Sequence, residues 1–178
     1  MEVIANHEQE LLEYAYRRIR KLPKIILYGP TNDLSHKVGV ITFNVEGMHH
    51  ALVASILGTE GGIGVRNGCF CAQPYVKKLL QLSPHEEELL GKEILSGNKS
   101  HVPGMVRASL GCYNNKEDID IFIETLERIV RNEYRGSYEL NPATGTFGAK
   151  GFHVDAANYF PFYWAGEPQM ERTFSESA

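Results

Sequence analysis

Two cysteines one residue apart, Cys69 and Cys71, stand in the stretch Val65–Tyr75, with Arg66 and Gly68 before them and Pro74 behind. Four chemistries fit such a pair. A structural zinc site usually takes four ligands, its cysteines often two to four residues apart. Here the spacer is one residue, and no second Cys/His pair follows at finger-like distance; His49, His50 and His101 would join only if the fold brought them in. No metal is therefore assigned. A disulfide between Cys69 and Cys71 would close a strained small ring. Cysteines are also often small buried hydrophobes, which suits Cys112, directly after a strand. Cys71 suits it less. It follows a Gly-rich loop, has Arg66 nearby and a predicted helix behind it, and both a cation and a helix N-terminus favour a thiolate nucleophile.

Arg107 is the second residue with chemistry to offer. A strand arginine commonly points to solvent, but its guanidinium fork is also the natural partner of a substrate carboxylate. His49 and His50 open a predicted helix, where a histidine pair is weak evidence of function by itself.

The elements that must position these residues can be read from periodicity. Leu11, Leu12, Ala15, Ile19 and Leu22 form a helical stripe closed by Pro23. KIILY and VGVITFNV read as strands either side of a turn-rich segment. MHHALVASILG has helical spacing and ends at Gly58. GGIGVRNG reads as a short strand running into a site or an edge, and AQPYVKKLLQL as a helix with Pro74 in its first turn. Ser83-Pro84 with Glu86, Glu87 and Glu88 marks another helix start, and MVRASLG reads as a strand. The segment from Asn114 to Tyr134 is the strongest helix, with Ile119, Phe122, Ile123, Leu126, Ile129 and Val130 on one face. Beyond Gly136 the chain is rich in Gly, Pro and aromatics without periodicity, and is expected to be an irregular extension that covers a surface. The order predicts an α+β fold: a small, mainly antiparallel sheet with helices packed on one face.

Bulk properties exclude several classes. With 178 residues, 43% of them hydrophobic and 22% charged, the chain can bury a real core. Its net charge of −4 gives no global basic field for nucleic acid or anionic lipid. No apolar run approaches the roughly 20 residues of a membrane span. The N-terminus has no signal-peptide core, and three cysteines argue against a disulfide framework. A reduced, cytoplasmic setting is expected.

Four collinear stretches, IANHEQELLEYAYRRIRKLPKIILYGP, GVITFNVEGMHHALVASIL, GIGVRNGCFCAQPY and VRASLGCYNNKEDIDIFIETLERI, together resemble one known family. It is the C-terminal small domain of class V, fold-type I pyridoxal-phosphate enzymes, in the cysteine desulfurase and selenocysteine lyase branch. The likeness runs from about residue 4 to 131. It implies removal of sulfur from L-cysteine, leaving alanine and an enzyme persulfide. The family's Arg-x-Gly-x-x-Cys-Ala segment is matched by Arg66, Gly68, Cys71 and Ala72, so Cys71 takes the place of the nucleophile. Arg107 and Ser109 match the Arg-x-Ser strand that grips the substrate carboxylate, and His49-His50 match a His-His at a helix start. On these grounds Arg107, Arg66 and His50 are expected to bind substrate.

The sequence departs from the pattern at Cys69 and Phe70, where many relatives have two histidines. The segment Leu79–Pro103 is longer, and the tail beyond Arg135 has no counterpart. These changes leave a broader class V aminotransferase-like activity open. Ser35-His36-Lys37 looks like the family's lysine motif, but it falls in the turn between the first two strands, so Lys37 is read as an exposed turn lysine. The large domain that supplies the Schiff-base lysine in the family is not in this sequence. The expectation is a domain of residues 1–135 followed by an extension of 136–178, truncated at a domain boundary, binding no pyridoxal phosphate and inactive alone. Its partners would be the large domain, an amino-acid substrate and, in the intact enzyme, a second copy. Two other readings stand beside it: a sulfur- or metal-binding module built on Cys69 and Cys71, and an interaction domain using the aromatic tail Asn158–Trp164.

Overall fold

A computed structural model describes residues 1–151, and the aromatic tail lies outside them. Strands β1 (Ile25–Tyr28), β2 (Val40–Val45), β3 (Arg66–Gly68) and β4 (Met105–Ser109) form one sheet in the order β1-β2-β4-β3, every pair antiparallel. This is the α+β arrangement expected from the sequence.

Alternation in β2 puts Ile41, Phe43 and Val45 on a buried face, joined there by Val106 and Ala108 of β4. Three helices close over that face: α1 (Glu2–Ile19), α2 (His50–Gly61) and α5 (Lys116–Val130). They contribute Leu12, Ala15 and Ile19, then Val53, Ile56 and Leu57, then Ile123, Leu126 and Ile129 to one continuous core. The hydrophobic stripe of α5 is the one its spacing predicts. Its start is fixed by a capping box in which Asn115 accepts from the Asp118 N–H while Asp118 accepts from the Asn115 N–H.

The opposite face of the sheet is largely open. Short α3 (Gln73–Leu79) borders it, with Val76 buried on the same side as Met105. Helix α4 (Pro84–Leu95) has an equally complete capping box on Ser83 but buries no residue at all.

Where absence of periodicity predicted irregular chain after Gly136, the structure has a hairpin, β5 (Tyr138–Asn141) with β6 (Thr146–Ala149). It packs on α2, with the Phe147 ring 5.5 Å from that of His49, and the Lys99 N–H donates to Pro142 O at 2.7 Å. Its root is tied down by one carboxylate. Glu60 accepts from the Arg135 N–H at 3.0 Å, the Gly136 N–H at 2.9 Å and the Tyr138 hydroxyl at 3.0 Å.

Candidate active site

The register of the sheet builds the site. Tyr28 pairs with Thr42, Thr42 with Arg107 and Arg107 with Arg66, so four side chains form one row across all four strands on the open face. Such a row is set by long-range pairing; residues Arg66 and Arg107 are 41 positions apart in the chain.

Arg107 is half-buried, and its Nε is buried without a hydrogen-bond partner among the described residues. An orphaned donor on a charged group is costly, on the order of 1–3 kcal/mol or more, unless something arrives to accept from it. Its guanidinium carbon lies 5.0 Å from the centroid of the Phe70 ring, a cation–π contact that orients the fork. Arg66 is exposed at the end of the row.

Phe70 belongs to the turn that carries Cys71. Both residues adopt left-handed backbone, with φ of 53° and 60°, and the turn closes when the Ala72 N–H donates to Cys69 O at 2.8 Å. Neither is glycine, so the turn holds strain of about 1 kcal/mol or more at each position. Its effect is to lay the Phe70 ring over Arg107 and leave Cys71 exposed, between two residues, Phe70 and Ala72, that line one groove with Arg107. Cys71 itself does not line that groove.

The other two thiols differ. Cys69 is part-buried; its S–H donates to Pro103 O at 3.2 Å, and burial pushes its pKa up against a smaller opposing pull from Lys77. Cys112, expected to be packed behind its strand, is exposed. The reason is local. Strand β4 ends at Ser109, and a turn from Gly111 to Asn114, held by N–H donation from Asn114 to Gly111 O and from Gly111 to Asn114 Oδ1, swings Cys112 out before α5 begins.

His50 is not brought to the row. Asn67 alternates with Arg66 and so points to the helix-covered face, where its side-chain amide meets His50 Nδ1 at 3.1 Å. The other ring nitrogen donates to Val102 O at 3.0 Å. Both nitrogens are occupied in tying α2 to β3 and to the segment before β4, on the far side of the sheet from Arg107. His49 is likewise structural: its Nδ1 caps α2 by accepting from the Ala51 N–H at 3.1 Å.

The sequence reading passed over Tyr28, Thr42 and Lys37 as contributors, yet all three line the groove with Phe70 and Arg107. Their signal lay in strand register, and for Lys37 in the path of the β1–β2 turn. No cluster of three or more His, Cys, Asp or Glu residues placed to hold a metal exists among the described residues, and none of their helices is long and apolar enough to cross a membrane.

A family model described as aminotransferase class-V matches residues 1–122. The chain belongs to that family. A cysteine desulfurase from Klebsiella pneumoniae is 36% identical over 126 residues, which cover 71% of this chain and 25% of the relative. A protein named "Probable cysteine desulfurase" from Synechocystis is 33% identical over 131 residues, covering 74% and 26%. Among solved structures, an apo cysteine desulfurase from Thermococcus onnurineus is similar at 32% identity and TM-score 0.56, over 72% of this chain and 26% of that one. One from Escherichia coli shares the fold at 23% identity and TM-score 0.52, over 72% and 25%. This class V chain thus spans about a quarter of the length of the relatives it matches.

Proposed function

We propose that this chain is the C-terminal, substrate-side small domain of a pyridoxal-phosphate-dependent cysteine desulfurase, with residues 1–135 as the domain and 136–178 as an appended extension. In this reading Arg107 grips the substrate carboxylate and Cys71 takes the sulfur of L-cysteine as a persulfide, leaving alanine. Arg66, at the end of the same row, adds a second positive charge beside that carboxylate. The observation that carries the reading is the Nε of Arg107, buried without a partner among the described residues and held under the ring of the residue that precedes Cys71.

The residues that line the groove fit the acid end of an amino acid. They do not fit pyridoxal phosphate as a whole, because among the described residues no carboxylate lines the groove to pair with a pyridinium nitrogen. Lys37 is the one amine among the described residues that line it, and its pKa is lowered by burial, but it sits in the turn between β1 and β2. We therefore assign the Schiff-base lysine to a separate large domain and expect this chain to be inactive without it. The three free thiols suit a reducing, cytoplasmic compartment, and the intact enzyme is expected to be a homodimer.

A chimera tests this. The matching segment of the Klebsiella enzyme is replaced by residues 1–135, and alanine formation from L-cysteine is measured in the presence of a reductant. The expected result is turnover that is lost in Cys71→Ser and in Arg107→Met. A folded, cofactor-loaded chimera whose Cys71→Ser form turns over undiminished would overturn the assignment.

A further inference from the structure

Phe70 and Cys71 keep left-handed backbone although neither is glycine. Residues in that region persist only where their surroundings hold them there. Cys71 is exposed, so packing of its own side chain does not hold it. The turn is pinned at the two residues before it. The Cys69 S–H donates to Pro103 O at 3.2 Å, and the centroid of the Phe70 ring lies 5.0 Å from the guanidinium carbon of Arg107. Both pins fasten the turn to β4 and the residues that lead into it.

The two pins differ in kind. The first is a bond to a neutral backbone carbonyl. The second is an electrostatic attraction that depends on the positive charge of Arg107, the charge with which a carboxylate would pair. The Arg107 Nε is buried without an acceptor among the described residues, so an incoming carboxylate meets an unfilled donor on the same group that holds the ring. We propose that Phe70 is a positioning residue that latches the Cys71 turn to Arg107 in the empty protein and loosens it when a carboxylate occupies the guanidinium. Pairing with an anion lowers the charge that attracts the ring, while the strain at positions 70 and 71 stays, so the turn opens more often. Cys71 then gains freedom only once an amino acid is gripped by its acid end. This rests on the reading of Arg107 as the carboxylate ligand and adds to it a signal from that ligand to the nucleophile.

The Ala72 N–H reports the turn directly, because its bond to Cys69 O at 2.8 Å closes it. In the 178-residue chain, hydrogen exchange at Ala72 is measured with and without acetate at fixed pH and ionic strength. Acetate binding is followed by the Arg107 Nε–H resonance. Saturating acetate is expected to speed Ala72 exchange about two- to fivefold, the scale of one lost cation–π contact, with the amides of α5 unchanged. Phe70→Leu and Arg107→Met are each expected to exchange faster by that factor without acetate, to gain nothing further from it, and to be no faster when combined. Phe70→Tyr, which keeps a ring, is expected to behave as the parent. By reciprocity, Phe70→Leu should bind acetate more tightly by the same factor, whereas a ring that merely packs would leave the affinity unchanged. Acetate that binds but leaves Ala72 exchange unchanged or slower overturns the latch and leaves Arg107 as the carboxylate ligand, as does an acetate response that survives in Phe70→Leu. Absence of acetate binding, or binding that persists undiminished in Arg107→Met, overturns the carboxylate reading and the latch together.

Discussion

Arg66 and Arg107 stand directly opposite each other on the β3–β4 ladder, two like charges in one cross-strand pair. Such a pair opposes sheet formation, by roughly 0.2–1 kcal/mol, and β3 has only three residues with which to resist it. The arrangement makes physical sense where an anion enters the row and is shared by both.

Removing the repulsion should therefore stabilise the empty protein. Arg66→Met is expected to gain a few tenths of a kcal/mol at low ionic strength, on the scale of such pairs. The gain should shrink as salt rises, because exposed charges are screened over about 8 Å at physiological ionic strength. Urea unfolding at two salt concentrations measures both effects. A variant less stable than the parent at low salt would show that Arg66 is held by attraction instead.

The thiols should fall into two classes under limited alkylation at neutral pH. Cys71 and Cys112 are exposed, whereas Cys69 is bonded to Pro103 O and its pKa is raised by burial. Peptide mapping is expected to show Cys69 modified last. If Cys69 reacts first, the turn from Gly68 to Ala72 has a different conformation and the geometry at Cys71 fails with it.

His49 couples stability to pH. Burial, then the neighbouring His50, depress its pKa below the ordinary imidazole value of 6.5, and His101 adds to this while a hydrogen bond donated by the ring to the Ser100 backbone opposes it. The folded state favours the neutral ring, so stability is lost as pH falls through the unfolded-state value near 6.5. His49→Asn retains a good N-cap and is expected to lose less stability than the parent between about pH 7.5 and pH 5.5. Parallel denaturant midpoints for both proteins across that range decide the matter.

Glu60 should prove to be the anchor of the C-terminal hairpin. Burial opposes its ionisation, but the bonds from Gly136, Arg135 and Tyr138, with the Arg128 charge, prevail and hold its pKa below the ordinary carboxylate value. The Tyr138 hydroxyl is correspondingly pushed up to about 12, by burial and then by its bond to Glu60. Glu60→Ala strands two N–H donors and the hydroxyl, and is expected to cost about 1–3 kcal/mol. Proteolysis at Arg131 and Arg135 should quicken by more than global destabilisation explains. Equal protection of those bonds in both proteins would show that the hairpin is held elsewhere.

Much of the fold was legible because local chemistry and burial agree. The stripe and capping box of α5, the alternation of Ile41, Phe43 and Val45, and the break at Pro23 are each written within one short segment. The site was legible only as residue types. Arg66, Cys71 and Arg107 stood out by their chemistry, but what sets Arg66 against Arg107, and Tyr28 and Thr42 beside them, is strand register, a long-range property. His50 was misplaced for the same reason: nothing local says which side of the sheet its helix covers. Cys112 was expected in the core because it directly follows a strand and precedes a long amphipathic helix, and nothing local announced the turn from Gly111 to Asn114 that swings it outward. The hairpin after Gly136 did leave a trace in Asn141-Pro142-Ala143-Thr144-Gly145, a turn sequence, but its strands are short, half-exposed and without an apolar run.

The left-handed pair at Phe70 and Cys71 sets folding and chemistry at odds. Glycine would occupy position 71 without strain, so a Cys71→Gly chain should fold at least as well as Cys71→Ser, which keeps the strain and loses only the sulfur. On the proposed reading of Cys71 as the nucleophile, its position is one where drift toward a more relaxed chain is opposed by activity alone. A copy of this protein released from its reaction would be expected to lose that cysteine early, while the buried face of the sheet stayed intact.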